Sequence, residues 1–173
     1  MRNMHLNCLL LSNSINKEAL RDQIIARLTA DHALLLQAAK TSHAAATHDE
    51  NIPDNKYATL GLEASYLAQG QANRAQEILQ AIQEFRQLPL LEFTAEAPIR
   101  LTALVRLDDD EKDSRLVFLA PAAGGLRLEC DEAEIMLITP ASPLGRELIG
   151  KQCGDRIELK SNTVREYEII SVC

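Results

Sequence analysis

Three carboxylates, Asp49, Glu50 and Asp54, stand within six residues of one another and are interleaved with Asn51 and Asn55. Carboxylate oxygens are the ligands a hard cation such as magnesium prefers, and one turn can bring two of them to the same side. The same residue types have a plainer use, because Asp and Asn cap helices, favour the positive end of a helix dipole and populate turns. On the residues alone the capping and turn role is the expectation. A second acidic run, Asp108-Asp109-Asp110-Glu111-Lys112-Asp113, places acids at alternating positions as a calcium loop does. It lacks the glycine and the distal glutamate of an EF-hand, so a solvated hairpin turn is the expectation. The four cysteines, Cys8, Cys130, Cys153 and Cys173, are far apart and form no Cys-x-x-Cys. Neither a zinc ribbon nor a redox pair is written locally, and reduced thiols are expected.

The acids at 49 to 54 need elements to position them, and the flanking sequence supplies two helices. From Asn16 to Thr47 there is no Pro or Gly, and Ala, Leu, Gln, Lys and Arg dominate. Apolar or small residues recur at Ile25, Leu28, His32, Leu35, Ala39, Ser42 and Ala46 in alternating steps of three and four, a coiled-coil stripe with a polar defect. His32 within it is expected to be a partly exposed, hydrogen-bonded histidine rather than a pH switch. Pro53 cannot continue a helix interior, and Asp54 or Asn55 can cap a new one. The second stripe runs Leu60, Ala64, Leu67, Gln71, Arg74, Ile78, Ala81 and Phe85 and stops before Pro89.

Two such helices on a short link fold back as an antiparallel hairpin. Residues 1–88 are therefore expected to form a coiled-coil hairpin with its tip at about 47–55. Near the link the facing residues are small, Ala39, Ser42 and Ala46 against Ala58, Gly61 and Ala64, so the distal end should be slim. At ~1.5 Å per residue, roughly 30 residues give an arm of about 45 Å. Apolar positions on the outer faces, Leu34, Leu36 and Leu79, would suit a different use, as a module binding another helical partner or a second copy.

Composition narrows the classes further. Apolar residues make up 46% of the chain, yet there is no Trp and only three Phe and three Tyr, so the cores must be aliphatic rather than aromatic-lined ligand pockets. The net charge is -7, with 8 basic against 10 acidic residues up to position 92 and 10 against 15 beyond it. Neither half has the basic surplus that direct nucleic-acid binding uses. Leu6 to Leu11 is too short and interrupted for a signal-peptide core, and no window approaches a membrane span. A cytoplasmic protein without a membrane partner is expected.

Residues 89–98, bounded by Pro89 and Pro98, make the linker to a second domain over 99–173. Ile99 to Leu107 alternates in strand fashion, Arg115 to Ala120 returns after the acidic turn, Pro121 to Gly125 is loop, and Glu134 to Thr139 is another strand. Then comes Thr139-Pro140-Ala141-Ser142-Pro143-Leu144-Gly145-Arg146-Glu147-Leu148-Ile149-Gly150-Lys151, followed by Gly154-Asp155 and the strand-like Glu166 to Ile170. Pro143 suits the first turn of a short helix, where no amide hydrogen is missed, and Gly150 suits the residue just past its end. The fold class is thus α+β, a helical hairpin followed by a small β domain carrying one short helix.

This run resembles the C-terminal domain of the Gre family (GreA/GreB-like) of bacterial transcript-cleavage factors, where Ser-Pro-Leu or Ser-Pro-Ile, Gly-x-x-Leu-x-Gly-Lys and x-x-Gly-Asp precede the last strands. Asp54-Asn55 followed by Tyr57 resembles part of that family's hairpin tip, although the spacing to the Tyr is one residue shorter, and Asn51 stands where the second acid would. The resemblance implies a coiled-coil hairpin plus an antiparallel FKBP-like domain, and RNA polymerase as partner. The hairpin would enter the secondary channel as a monomer while the domain anchors on its rim through Ser142, Pro143, Leu144 and Gly145. RNA and DNA would be met only within the elongation complex. Asp49, Glu50, Asp54 and Asn55 would approach the catalytic magnesium, which the polymerase holds, so no stably bound metal or intrinsic cofactor is expected. Two outcomes stay open, stimulated cleavage of backtracked RNA and occupancy of the channel without cleavage. The FKBP-like fold also raises prolyl isomerase activity, but from residue 99 onward the only aromatics are Phe118 and Tyr167. An enzyme in its own right is not expected.

Overall fold

The computed structural model describes residues 15–46, 58–94, 96–111, 113–130, 133–160 and 164–173. Two helices precede a six-stranded sheet and one short helix: α1 (Lys17–Ala46), α2 (Ala58–Gln87), β1 (Leu104–Asp109), β2 (Ser114–Leu119), β3 (Arg127–Cys130), β4 (Ala133–Ile138), α3 (Pro143–Leu148), β5 (Arg156–Lys160) and β6 (Val164–Val172). The α+β class expected from the sequence is the observed one. By contacts the chain divides into two compact units, one holding the described residues 15–24 and 87–173, the other Ile25–Arg86.

In the helical unit, α1 and α2 contribute from helices of 30 residues each. Asn16 opens α1, its Oδ1 accepting from the amides of Glu18 at 2.8 Å and Ala19 at 3.2 Å, which satisfies two of the orphan donors of the first turn. The α1 stripe follows the expected positions, with Leu28 buried and Ile25, His32, Leu35, Ala39 and Ser42 half-buried. It extends further toward the N-terminus, where Leu20 and Ile24 are fully buried in the unit that contains the sheet. Across the pair, Ser42 Oγ donates to Gln71 Oε1 at 3.1 Å, so the two polar positions of the stripes meet each other.

The α2 seam differs from the expected one. Leu67 is 56% exposed and Arg74 lies in solvent, pairing with Glu77 at 2.8 Å, while Ala68 is half-buried and Ala75 is buried. The packed line runs Ala68, Gln71, Ala75, Ile78, Ile82 and Phe85. Alanines at the contact let the helices approach, and the Arg74 guanidinium stays hydrated beside its helical neighbour.

The sheet order is β3-β4-β2-β1-β6-β5. β1 pairs antiparallel with both β2 and β6, β3 with β4 and β5 with β6, whereas β2 and β4 run parallel, Leu116 opposite Ile135 and Leu119 opposite Ile138. The parallel pair exists because β3, where the alternation of Leu128 and Cys130 is short, is inserted after the Pro121–Gly125 loop and reverses the chain before β4. The first strand also starts later than its alternating pattern suggested. Thr102 adopts φ 72 and Ala103 N donates to Arg100 O at 3.0 Å, so 99–103 is a turn and pairing begins at Leu104. The main core lies on one face, built from residues such as Val105, Leu107, Val117, Leu119, Leu148, Ile157 and Ile169. Leu104, Phe118, Ile135 and Leu137 alternate with them and are buried as well, so both faces of the sheet are covered.

Candidate functional site: a capped helix beside the linker

The Thr139–Asp155 segment folds from near-neighbour interactions. At the end of β4 the chain turns, Ser142 N donating to Thr139 O at 3.0 Å, and the Ser142 hydroxyl then serves twice. It donates to Thr139 O at 2.7 Å and accepts from Gly145 N at 3.0 Å, capping α3 while Pro143 occupies the first turn. Gly145 is buried, and a Cβ there would collide with the Thr139 carbonyl oxygen. Only glycine permits this approach. Ile149 closes the helix by donating to Gly145 O at 3.0 Å, and Gly150 follows at φ 81. Gly154, at φ 89, and Asp155 build the next turn, where Asp155 Oδ2 accepts from Gln152 N at 2.8 Å and its carbonyl accepts from Ile169 N at 2.9 Å.

The four residues expected to dock are therefore unequal in access. Pro143 is exposed, Ser142 and Leu144 are half-buried with Leu144 packed against the core, and Gly145 is interior. Leu148 is fully buried, as a core-facing helix position should be. Ile149, which could have continued that buried face, is instead 46% exposed, and Ala141, Arg146 and Glu147 are exposed with it. The sequence carries a signal for this, since the helix ends at Leu148 and the glycine stop turns the next side chain away from the core.

Asp49, Glu50, Asp54 and Asn55 lie outside the described residues, as do Asn51 and Tyr57. The second acidic run forms the β1–β2 turn. Asp109 Oδ1 accepts from the amides of Glu111 at 3.0 Å and Asp113 at 2.9 Å, so this carboxylate caps its own backbone. Asp108 lies 3.5 Å from Arg106 Nε. Among the described residues no group of three His, Cys, Asp or Glu is placed to hold a metal ion, and no helix is long and apolar enough to cross a membrane. Phe118 and Tyr167 are both buried, Tyr167 within the main core.

A cavity of about 590 Å³ opens beside β2, lined in part by Arg106, Arg115 and Arg127. Each guanidinium has a carboxylate partner: Asp108 at 3.5 Å, Asp113 at 3.6 Å and Glu134 at 3.0 Å respectively. The cavity thus offers no uncompensated cation to an anionic ligand. On the helical unit, Leu34 is 69% exposed and Leu36 is exposed, while Leu79 is half-buried.

The described linker residues are bound to the rest of their unit. Lys17 Nζ donates to Leu91 O at 2.7 Å and sits 4.7 Å from the centre of the Phe93 ring, and burial pushes this amine below its usual range, against the opposing pull of Cys173 and Glu92. Leu91 N donates to Thr102 Oγ1 at 3.0 Å, Gln152 Nε2 to Glu96 O at 2.6 Å, Ile99 N to Lys151 O at 2.8 Å and Gly150 N to Ile99 O at 2.8 Å.

No family model and no curated protein matches the chain. Among solved structures it is similar to the transcription factor Gfh1, with 20% identity, a TM-score of 0.39 and coverage of 88% of this chain and 92% of that one. Similarity extends to the GreA factor homolog 1 (Gfh1) protein of Thermus thermophilus, at 22% identity and a TM-score of 0.37 over 88% of this chain and 94% of that one. The prokaryotic transcription elongation factor GreA/GreB from Nitrosomonas europaea is also similar, at 18% identity and a TM-score of 0.35 over 55% of this chain and 78% of that one.

Proposed function

We propose that the chain is a Gre-type transcription elongation factor that binds RNA polymerase and modulates elongation. The observation that carries this reading is the Thr139–Asp155 segment. Its residues resemble the anchoring segment of that family, and Ser142 and Gly145 set a tight turn that leaves Pro143 exposed, which supports the reading. Ala141, Pro143, Arg146, Glu147 and Ile149 then form the surface that grips the polymerase. The hairpin enters the secondary channel, and Asp49, Glu50 and Asp54 approach the catalytic magnesium from its tip. The chain supplies carboxylates, and the polymerase supplies the rest of the two-metal site and performs the hydrolysis. The protein acts as a monomer without a cofactor of its own and contacts nucleic acid only inside the elongation complex.

A second reading keeps the anchor and changes the outcome. Three residues before Asp54 stands Asn51 rather than an acid, a spacing that favours occupancy of the channel without cleavage. Stalled, backtracked elongation complexes from the host separate the two. Shortened transcripts that disappear with Asp54→Ala or Glu50→Ala support assisted cleavage. Binding without shortening supports occupancy, and absence of binding removes both.

A further inference from the structure

The residues between the two proline-bounded ends of the linker make contacts that a passive tether has no need of. Lys17, in the first turn of α1, holds Leu91 and Phe93, Thr102 holds the amide of Leu91, Gln152 holds the carbonyl of Glu96, and Ile99 exchanges backbone hydrogen bonds with Gly150 and Lys151. All of these residues belong to the unit that contains the sheet.

We propose that the described linker residues 88–94 and 96–99 are a latch, closed by Lys17 at one end and by Gln152 at the other, whose closure holds the Gly150 end of α3 and so sets the shape of the anchoring surface. In this arrangement Lys17 is a positioning residue. It acts through Leu91, Phe93 and Ile99.

Three features fix how Lys17 holds its end of the latch. Its ammonium is partly desolvated, so the charge-assisted hydrogen bond to Leu91 O and the attraction to the Phe93 face both count for more than they would in water. Arg100, 5.8 Å from the same ring, flanks Phe93 as a second and looser cation. Thr102 is held at φ 72, a conformation unfavourable for a branched residue, and its hydroxyl takes the Leu91 amide. Opening the latch at Lys17 removes the support on the Leu91 side of that turn while the β ladders stay paired. The consequence for the anchor rests on the polymerase reading above, whereas the latch itself does not.

Amide hydrogen exchange on the full chain tests both parts. In Lys17→Met, exchange at Leu91, Ile99 and Gly150 is expected to rise about tenfold, with Ile169 and Leu107 in the sheet unchanged, because the loss of one charged hydrogen bond and one cation–π contact is of that order. Lys17→Arg, which keeps a cation and donors, should restore protection, and Gln152→Ala should loosen Ile99 and Gly150 from the other end. An equal rise at Ile169 and Leu107 would mean that Lys17 only adds global stability, and no rise at Ile99 would mean that the ends are uncoupled. Either result overturns the latch. On polymerase, Lys17→Met should bind several-fold more weakly than wild type and Lys17→Arg equally well. If wild type does not bind while the latch amides respond as expected, the polymerase reading falls and the latch stands.

Discussion

Gly145 packs its α-carbon against the carbonyl of Thr139 so closely that no other residue fits without moving backbone, while the Ser142 hydroxyl bonds both of them. The β4 end and the start of α3 are therefore one rigid piece.

Replacing Gly145 with Ala forces that piece apart. A loss of about 1–3 kcal/mol is expected, the usual cost of overpacking against groups that cannot yield. Urea denaturation reads it directly, and an unchanged midpoint would show that α3 can slide away from Thr139.

Ser142→Ala removes one acceptor from the Gly145 amide and one donor to Thr139 O, and should cost about 1 kcal/mol. Ser142→Thr keeps both groups and should lie close to wild type. Equal midpoints for the two variants would deny the hydroxyl its capping role.

Ile149 and Leu148 are adjacent in sequence and opposite in environment. Leu148→Ala should lose about 2–5 kcal/mol of stability by opening a core cavity. Ile149→Asp should stay within about 0.5 kcal/mol of wild type, as surface changes do, yet weaken capture by RNA polymerase. Unimpaired capture would remove Ile149 from the anchoring surface.

The seam of α2 gives a register test. Leu67→Ala, at an exposed position, should change stability by less than about 0.5 kcal/mol, whereas Ala75→Leu, at a buried one, should cost about 1–3 kcal/mol. The reverse ranking in thermal melts would return the seam to the Leu67–Arg74 line.

Burial holds the Lys17 amine below its ordinary value of 10.5, with Cys173 and Glu92 pulling the other way. Between the lowered folded value and the ordinary unfolded one, the unfolded chain binds more protons, so this group makes stability rise with pH across that alkaline window. Below it both states carry the proton, and the desolvation penalty is present in full. Denaturation midpoints taken up to pH 10.5 should climb more steeply for wild type than for Lys17→Met, and parallel profiles would show that the amine is not desolvated.

The α1 stripe, the proline start of α3 and its glycine stop were legible in the chain because each depends on residues within one or two helical turns of each other. Pro143 and Gly150 act on their own neighbourhood, and a local reading reaches them; the capping by Asn16 and Ser142 is just as local and came from the structure. The α2 seam was less legible, since Leu67 and Ala68, consecutive and about 100° apart around the helix, each start an apolar line at steps of three and four, and hydrophobicity alone prefers the leucine. Which of the two faces α1 depends on how closely the helices approach. The tip acids lie outside the described residues, and their part in function rests on chemistry and resemblance.

The sequence by itself determined the helices, the α+β order and the proline and glycine punctuation of the short helix, though not strand β3 or the start of β1, because proline and glycine chemistry and hydrophobic period are short-range. Only the tertiary structure decided the parallel pairing of β2 with β4 and the attachment of the described linker residues to Lys17 and Gln152. Those contacts join residues up to 74 positions apart, as Lys17 and Leu91 are, and no local pattern records which distant carbonyl a lysine will reach.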